Sequence, residues 1–309
     1  MKRLVITAVS LAALALAAVC AVAWLPIWPC VLFEHFRLQV VALGLVVVCA
    51  AAALRLRGYF DMALIATLCS ALPVVADLTA RPQAVPPHGI AIRVLVLNVH
   101  TESTSFARVR QLIAAEHPDV IGLVEVSQRW LDALAPALAG YAGRIEEPRP
   151  DNFGIALYAR GAVHGSTDVI ATPLPSVVAD VSLEGARFDV ILTHPVPPIS
   201  ATALAQQATQ FEAVADRARK ATSPVLVMGD FNATPWSRPF LRVLRRSRLC
   251  DSRAGFGVQA SFPAGSALLR IPIDHVLASC SIGIRARRIG PDVGSDHLPV
   301  IVDLVLPRR

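Results

Sequence analysis

This 309-residue chain contains the segment Val225-Leu-Val-Met-Gly-Asp-Phe-Asn-Ala-Thr-Pro-Trp-Ser237, in which an apolar run is followed by a polar turn. The apolar run is typical of a buried strand, and Gly229 turns the chain where the strand ends. Asp230 and Asn232 therefore stand together at the carboxyl end of the strand. A carboxylate and an amide so placed can hold a water molecule and donate a hydrogen bond to an anion. The segment predicts one half of a hydrolytic site.

Polar side chains occupy similar settings in other strand-like runs. They are Asn98 at the end of residues 92–98, Glu125 at the end of 119–125, His194 after 188–193, Asp274 within 271–277, and Asp296 and His297 within 294–299. Each of these residues adjoins a predicted strand, as Asp230 does. We expect them to complete the same site.

The elements Gly-Asp-Phe-Asn, Ile-Asp-His and Ser-Asp-His, which follow the strands that end in Asn98 and Glu125, give the chain a recognisable pattern. On these elements residues 90 to 306 resemble the endonuclease/exonuclease/phosphatase superfamily. The motifs are specific as a set, although each is weak alone. The resemblance implies an α/β fold, a two-sheet β-sandwich flanked by helices with the site at one edge. Alternating strand and helix signals over about 220 residues agree with an α/β domain that has a sizeable core.

Phosphoester hydrolysis requires a cation on the phosphoryl oxygens, an oriented water and donors for the developing charge. Oxygen ligands from carboxylate and amide groups suit Mg²⁺ or Mn²⁺ better than zinc. Asn98, Glu125 and Asp296 are therefore the predicted metal ligands, and the family assigns the matching positions that role. Taken singly, Asn98 is better interpreted as capping a turn and Glu125 as ending a strand.

The remaining site residues have predicted roles in catalysis. Asp230 is expected to orient or deprotonate the attacking water, and Asn232 to donate to a non-bridging oxygen. His297 is expected to contact the phosphoryl oxygens or the water, while Asp274 holds its other ring nitrogen. His194 is the further phosphate contact that the resemblance implies. A lone histidine is more often structural, but both histidines fall where the family has one.

The chain departs from the nuclease members in two places. His100 stands two residues after Asn98, where abasic-site nucleases have an acidic residue. A rigid turn, Pro195-Val-Pro-Pro198, takes the place of the aromatic insertion loops or basic arm that read a DNA groove. A lipid head group suits this site at least as well as a duplex.

His275, beside Asp274, is expected to face the other side of its strand.

The N-terminal part of the chain predicts a membrane anchor. The sequence is 54% hydrophobic with a mean hydropathy of +0.55, too apolar for one soluble enzyme. Nearly uncharged apolar runs cover residues 4–24, 38–54 and 59–76, each close to the roughly 17–25 residues that cross a bilayer. We predict a three-helix transmembrane anchor over residues 1–78, a proline-rich linker over 79–89 and a catalytic domain over 90–309. A cleavable signal peptide is the alternative interpretation of the first run.

Basic residues near the predicted spans indicate the orientation of the anchor. They are Lys2, Arg3, Arg55 and Arg57, which belong on the cytoplasmic side. Arg37, in a predicted outer loop, is a minor contrary signal. The catalytic domain is then extracytoplasmic, attached to a multi-pass anchor in the bacterial inner membrane.

The sequence does not decide whether two of the cysteines form a disulfide or whether the clustered arginines form a phosphate-binding surface. Cys250 and Cys280 fall in the catalytic domain and can pair in an oxidising compartment, but two separate buried thiols are equally compatible with the sequence. The net charge is +6, and the clustered arginines are Arg242, Arg245, Arg246 and Arg248, then Arg285, Arg287 and Arg288. Such clusters attract phosphates. A solvated helix face is the better interpretation of the first cluster.

Three functions compete. The first is a membrane-anchored, metal-dependent phosphohydrolase acting on a lipid phosphate or pyrophosphate; similarity to the VanJ-type membrane-anchored phosphatases implies undecaprenyl pyrophosphate. The second is an extracytoplasmic nuclease or phosphodiesterase, with nucleic acid as substrate. The third is an inactive domain that binds phosphorylated ligands, which the full set of polar residues disfavours.

Overall fold

The N-terminal apolar runs are helical in the computed structural model, which describes residues 1–307. The helices are α1 (Lys2–Val22), the short α2 (Leu32–His35), α3 (Arg37–Ala53) and α4 (Arg57–Leu78). Residues 1–79, with residues 198–204, form one compact unit. Small residues allow close packing here, since a Cβ atom at Gly44 of α3 would lie 2.2 Å from the hydroxyl of Thr67 on α4.

Two of these helices, α1 and α4, are long and apolar enough to cross a membrane by length and composition. The predicted span at residues 38–54 corresponds to α3, a shorter apolar helix of 17 residues. It ends where Arg55 adopts a left-handed backbone with φ 58°. The expectation of three full spans is therefore only partly met. A signal sequence near an N-terminus can have the same composition as α1.

The second unit comprises residues 80–197 and 205–307 of the described chain. Its first sheet has the strand order β11-β12-β1-β2-β4-β3, and its second has the order β5-β6-β7-β8-β10-β9. The strands are β1 (Gly89–Asn98), β2 (Val120–Val124), β3 (Gly143–Glu147), β4 (Ile155–Ala159), β5 (Ala162–Val169), β6 (Pro175–Leu183), β7 (Ala186–Thr193), β8 (Val225–Asp230), β9 (Leu249–Asp251), β10 (Asp274–Ser279), β11 (Gly283–Ile289) and β12 (Val300–Pro307). The helices are α5 (Phe106–Glu116), α6 (Gln128–Leu138), α7 (Ala201–Lys220), of which residues 205–220 belong to this unit, and α8 (Arg238–Ser247).

The core of this unit lies between the two sheets. Side chains alternate along each strand, so one face of each sheet, with Val96, Leu192 and Met228, forms the central apolar cluster. The opposite faces are covered by helices, with Trp130 of α6 on the first sheet and Phe240 of α8 on the second. The expected α/β sandwich flanked by helices is confirmed.

The strand directions bring the polar strand ends together. Within the two sheets β1 is parallel to β2, and β7 is parallel to β8. The strand β12 is antiparallel to β1, and β10 is antiparallel to β8, with Asp274 directly opposite Asp230. The carboxyl ends of four strands therefore share an edge with the amino ends of β10 and β12.

The second unit contains both the two cysteines and the two arginine clusters that the sequence singles out. Cys250 and Cys280 form a disulfide with a Cα–Cα distance of 5.2 Å. Arg242 and Arg246 of α8 make ion pairs with acidic residues of α7, as expected for a solvated helix face. Arg287 is buried and donates to the backbone carbonyl of the residue that begins β10, so the second cluster is not a single basic surface.

Replacement of Gly229 by alanine tests how tightly the two central strands of the second sheet approach at the site. Gly229 has φ 139°, and a Cβ atom there would lie 2.0 Å from the carbonyl oxygen of Thr193. We expect Gly229→Ala to lower the free energy of unfolding by about 2 kcal/mol or more, because both the backbone angle and the contact are unfavourable. Thermal unfolding of the purified protein measures this. Gly140→Ala, with no atom within 4 Å of its Cβ, is the matched control, and equal melting temperatures would refute the argument.

Candidate active site

Asn98, the last residue of β1, connects the two sheets. Its Nδ2 donates to Glu125 Oε1 at 2.9 Å on the first sheet and to Asp230 Oδ2 at 3.2 Å on the second. Its Oδ1 accepts from the backbone N–H of His100 at 2.9 Å. The buried amide therefore has partners on both ends, and it fixes the position of two carboxylates at once.

Glu125 follows β2 with a left-handed backbone of φ 61°. This conformation is uncommon for a residue other than glycine and is concentrated at functional sites. The second carboxylate oxygen of Glu125 accepts from the backbone N–H of Thr101 at 3.3 Å. Glu125 is only partly buried, so its carboxylate can be reached from solvent while its orientation stays fixed.

Asp230 is buried at the centre of the site. Its Oδ1 accepts from the backbone N–H of Asn232 at 2.8 Å, and its Oδ2 lies 3.5 Å from Nε2 of both His194 and His297. Burial acts to raise the pKa of the Asp230 carboxyl, but the charge of His297, followed by the hydrogen bond and charge of His194, outweighs it and holds this pKa well below its usual range. Asp230 is thus an ionised carboxylate in a buried setting.

His297 is held between two carboxylates. Its Nδ1 lies 2.8 Å from Asp274 Oδ2, and its ring centroid is 4.6 Å from that of Phe262. Burial lowers the pKa of His297, but attraction to Asp274 and Asp230 outweighs burial and raises this pKa to about 10. The ring is therefore an imidazolium whose Nε2–H faces Asp230.

His194 and Asn232 form the opposite wall. Asn232 Nδ2 donates to the carbonyl of Pro195 at 3.0 Å and lies 3.3 Å from His194 Nε2. Burial lowers the pKa of His194, but the hydrogen bond and charge of Asp230 raise it above its ordinary value. Both side chains thus direct nitrogen atoms toward the same space as Asp230.

Asp296 is the most exposed of the predicted residues, with 45% of its side chain accessible. The neighbouring Ser295 hydroxyl donates to the backbone carbonyl of Asn98 at 2.7 Å, which ties this loop to β1. Asp296 Oδ1 lies 3.7 Å from His100 Nδ1. The departure noted at His100 therefore places an imidazole, rather than a carboxylate, beside Asp296.

Seven of the eight predicted residues form one continuous network, and Asp296 joins it through Ser295. Sequence reasoning missed Ser295, Thr101 and Phe262. Ser295 was visible in the Gly-Ser-Asp-His element, but Phe262 lies in a segment with no pattern that marks it. His275 lies on the other side of β10, as alternation predicts: its Nε2 is 2.8 Å from a backbone carbonyl, and burial lowers its pKa to about 4, so it is a neutral core residue.

Two groups of residues could hold a metal ion. Asp230, Asp274 and His297 can each offer one ligand atom, with these atoms within 4.8 Å of one another. Within this buried group, His297 Nδ1 is already paired with Asp274 Oδ2 at 2.8 Å. The sequence-predicted set, Glu125 and Asp296 with the amide of Asn98, supplies oxygen donors only, and its two carboxylates are accessible to a hydrated cation. Oxygen donors of this kind fit Mg²⁺ or Mn²⁺.

The sequence model of the Endonuclease/Exonuclease/phosphatase family matches residues 95–297, and the chain belongs to this family. Members of the family hydrolyse phosphoesters, and dependence on a divalent metal is general among them. A search of curated protein sequences finds no significant match.

Solved structures share the fold. An endonuclease/exonuclease/phosphatase from Beutenbergia cavernae is 23% identical with a TM-score of 0.55, over 70% of this chain and 72% of that one. D. rerio TDP2, solved with a single-strand DNA product, is 15% identical with a TM-score of 0.58, over 69% and 98%. Sphingomyelinase C from Streptomyces griseocarneus is 18% identical with a TM-score of 0.53, over 71% and 100%. At these identities the likeness establishes the fold alone.

Metal binding by two variants distinguishes the two candidate ligand groups. We expect Glu125→Gln to weaken Mn²⁺ binding about tenfold or more, because it removes a charged oxygen ligand, whereas Asp274→Asn leaves the Kd within about twofold. Calorimetric titration of the detergent-solubilised variants with Mn²⁺ measures both. The reverse ranking would assign the metal to the buried group that contains Asp274.

Proposed function

We propose that this protein is a membrane-anchored, divalent-metal-dependent phosphohydrolase that cleaves the phosphate or pyrophosphate head group of a lipid. The substrate class includes undecaprenyl pyrophosphate, and the reaction takes place at the outer face of the bacterial inner membrane by attack of water on phosphorus. The main support for a hydrolytic function is the buried, ionised Asp230, whose Oδ2 lies 3.5 Å from the Nε2 atoms of two histidines.

Asp230 is suited to orient the attacking water through its ionised carboxylate. The Oδ2 atom is occupied by Asn98 and the two histidines, whereas Oδ1 accepts only from the Asn232 backbone and can accept a second hydrogen bond from a water. Because Asp230 is held by Asn98 and Asn232 on fixed strand ends, little reorganisation is needed at the moment of attack.

The histidines and Asn232 supply donors for the charge that develops on the phosphoryl oxygens. The imidazolium of His297 is kept in position by its bond of 2.8 Å to Asp274, and it can donate from Nε2 to a non-bridging oxygen. His194 and the amide of Asn232 can donate from the opposite wall. Asp274 therefore acts through His297 as a positioning residue.

A divalent cation completes this chemistry. Asn98, Glu125 and Asp296 would hold Mg²⁺ or Mn²⁺, and the bound ion supplies positive charge that polarises the phosphoryl group. The amide nitrogen of Asn98 faces Glu125 and Asp230, so Asn98 would support the ion by fixing the Glu125 carboxylate. The loop that carries Asp296 is fixed to Asn98 by Ser295.

Three observations support a membrane setting and an outer location. Only 17% and 28% of the most apolar windows of α1 and α4 are buried, so most of their apolar surface faces outward. The basic residues near the helix ends favour a cytoplasmic N-terminus. The disulfide between Cys250 and Cys280 is typical of oxidising compartments. A tether to the bilayer gives a lipid substrate a high local concentration.

The alternative is an extracytoplasmic nuclease or phosphodiesterase. It is favoured by the shared fold with D. rerio TDP2, which was solved with a DNA product. Sphingomyelinase C has the same fold, so the comparison does not by itself select a nucleic-acid substrate. The engaged arginines of α8 offer little support for a basic DNA-binding surface.

Phosphate release from a polyprenyl pyrophosphate in detergent tests the proposed activity. We expect release with Mg²⁺, none with a chelator, and a kcat about 10²–10⁴-fold lower for Asp230→Asn, because the charged oxygen that orients the attacking water is lost. Asp132→Asn, on the exposed face of α6, is the control and keeps normal turnover. Nicking of plasmid DNA without phosphate release from the lipid would select the nuclease instead.

A reporter fusion tests the orientation. Alkaline phosphatase fused after residue 307 is expected to be active, because it folds only outside the cytoplasm, whereas a fusion after Arg55 is expected to be inactive. Enzyme activity in intact cells, normalised to the amount of fusion protein, measures both. Activity from the Arg55 fusion alone would reverse the orientation and remove the preferred substrate.

A further inference from the structure

A loop with an uncharged, apolar tip projects from the second unit, residues 80–197 and 205–307, which we call the catalytic unit. Residues 262–271, which we term the leucine loop, contain no charged residue before Arg270. At the tip of the loop Leu268 is 81% exposed and Leu269 is 52% exposed. In the described part of the catalytic unit, these are the only two adjacent large apolar residues with such exposure. A single exposed leucine is ordinary on a protein surface, but an adjacent pair is less so.

The leucine loop is held in a defined conformation. Its two ends pair as an antiparallel bridge, in which the backbone N–H of Phe262 donates to the carbonyl of Ile271 at 3.0 Å. The guanidinium of Arg270 donates to the carbonyl of Pro263 at 3.2 Å and also to that of Ala264. These bonds fix the base of the loop, so its tip cannot fold its leucines back into the core at small cost.

The base of the leucine loop is part of the wall of the candidate active site. The Phe262 ring packs against the imidazole of His297, with 4.6 Å between the ring centroids. The backbone N–H of Ala264 donates to the carbonyl of Asp296 at 2.7 Å. The position of the leucine tip is therefore coupled to the residues that would contact the phosphoryl group.

These features suit insertion into a lipid surface. Apolar side chains held in water are unfavourable, and transfer to an apolar environment removes that cost. An apolar tip followed by one basic residue matches the profile of a bilayer interface, where leucines enter the acyl region and arginine stays among the phosphates. The two spanning-length helices of the same chain make such a surface available.

We propose that the leucine loop inserts Leu268 and Leu269 into the outer leaflet of the bilayer beside the head group that is cleaved. This inference rests on the proposed lipid phosphohydrolase function. In this proposal the leucine loop makes the enzyme prefer membrane-embedded substrates to soluble substrates that carry the same pyrophosphate group. Arg270 then lies at the level of the lipid phosphates.

The test compares two substrates with the full chain reconstituted in phosphatidylglycerol-containing vesicles. One is a long-chain polyprenyl pyrophosphate embedded in the vesicles, and the other is farnesyl pyrophosphate added in solution. For the double variant Leu268→Ser/Leu269→Ser we expect kcat/KM on the embedded substrate to fall about tenfold, and kcat/KM on the soluble substrate to stay within about twofold. Exposed serines are compatible with the fold, so stability should be unchanged.

Val169→Ser is the matched control, because Val169 is a large apolar residue that is 62% exposed at the end of β5, where it pairs with Pro175 of β6. It should leave both substrates unaffected. Equal effects of the double variant on the two substrates, or no effect on either, would overturn the inference while phosphate release by the wild type upholds the proposed function. Failure of the wild type to release phosphate from either substrate would overturn both.

Discussion

The catalytic unit depends on the burial of one ionised carboxylate, Asp230, where the two sheets meet. Burial of a charge is costly unless it is paired and hydrogen-bonded. Here Asn98 reaches across from the first sheet at 3.2 Å, and His194 and His297 approach from two loops. Each of these contacts requires a strand end in a fixed position. The contacts that stabilise the charge of Asp230 therefore also hold in alignment strands that are far apart in the sequence.

The same requirement explains several local features around Asp230. Gly229 allows β8 to approach β7 closely, since any Cβ atom there would meet a backbone oxygen. Asp274 lies opposite Asp230 in the register of β10 and β8, and this brings a second carboxylate to His297. A histidine between two carboxylates stays protonated, and its positive charge offsets part of their negative charge. Stability and catalytic geometry therefore have a common origin.

Much of this arrangement can be predicted from the sequence because strand ends carry a local signal. An apolar run that ends in a polar residue marks both the strand and the edge where Asn98, Glu125 and Asp230 lie. Contacts between distant segments leave no such signal, so the sequence does not distinguish a disulfide between Cys250 and Cys280 from two separate thiols, and it does not mark the leucine loop. The apolar run at residues 38–54 is located correctly by hydropathy, but α3 has only 17 residues, fewer than the two helices that are long enough to cross a membrane. The identity of the substrate cannot be predicted from the motif residues, because it depends on surfaces outside the motifs.

Asn98 of one sheet and Asp230 of the other work as a unit, and a double-mutant cycle measures the coupling between them. The kcat for phosphate release from a polyprenyl pyrophosphate is measured for Asn98→Ala, Asp230→Asn and the double variant at saturating Mg²⁺. Residues that act as a unit are strongly non-additive, so the double variant should be about as impaired as the worse single variant. Losses that multiply would show that the two residues contribute independently, and would contradict the account.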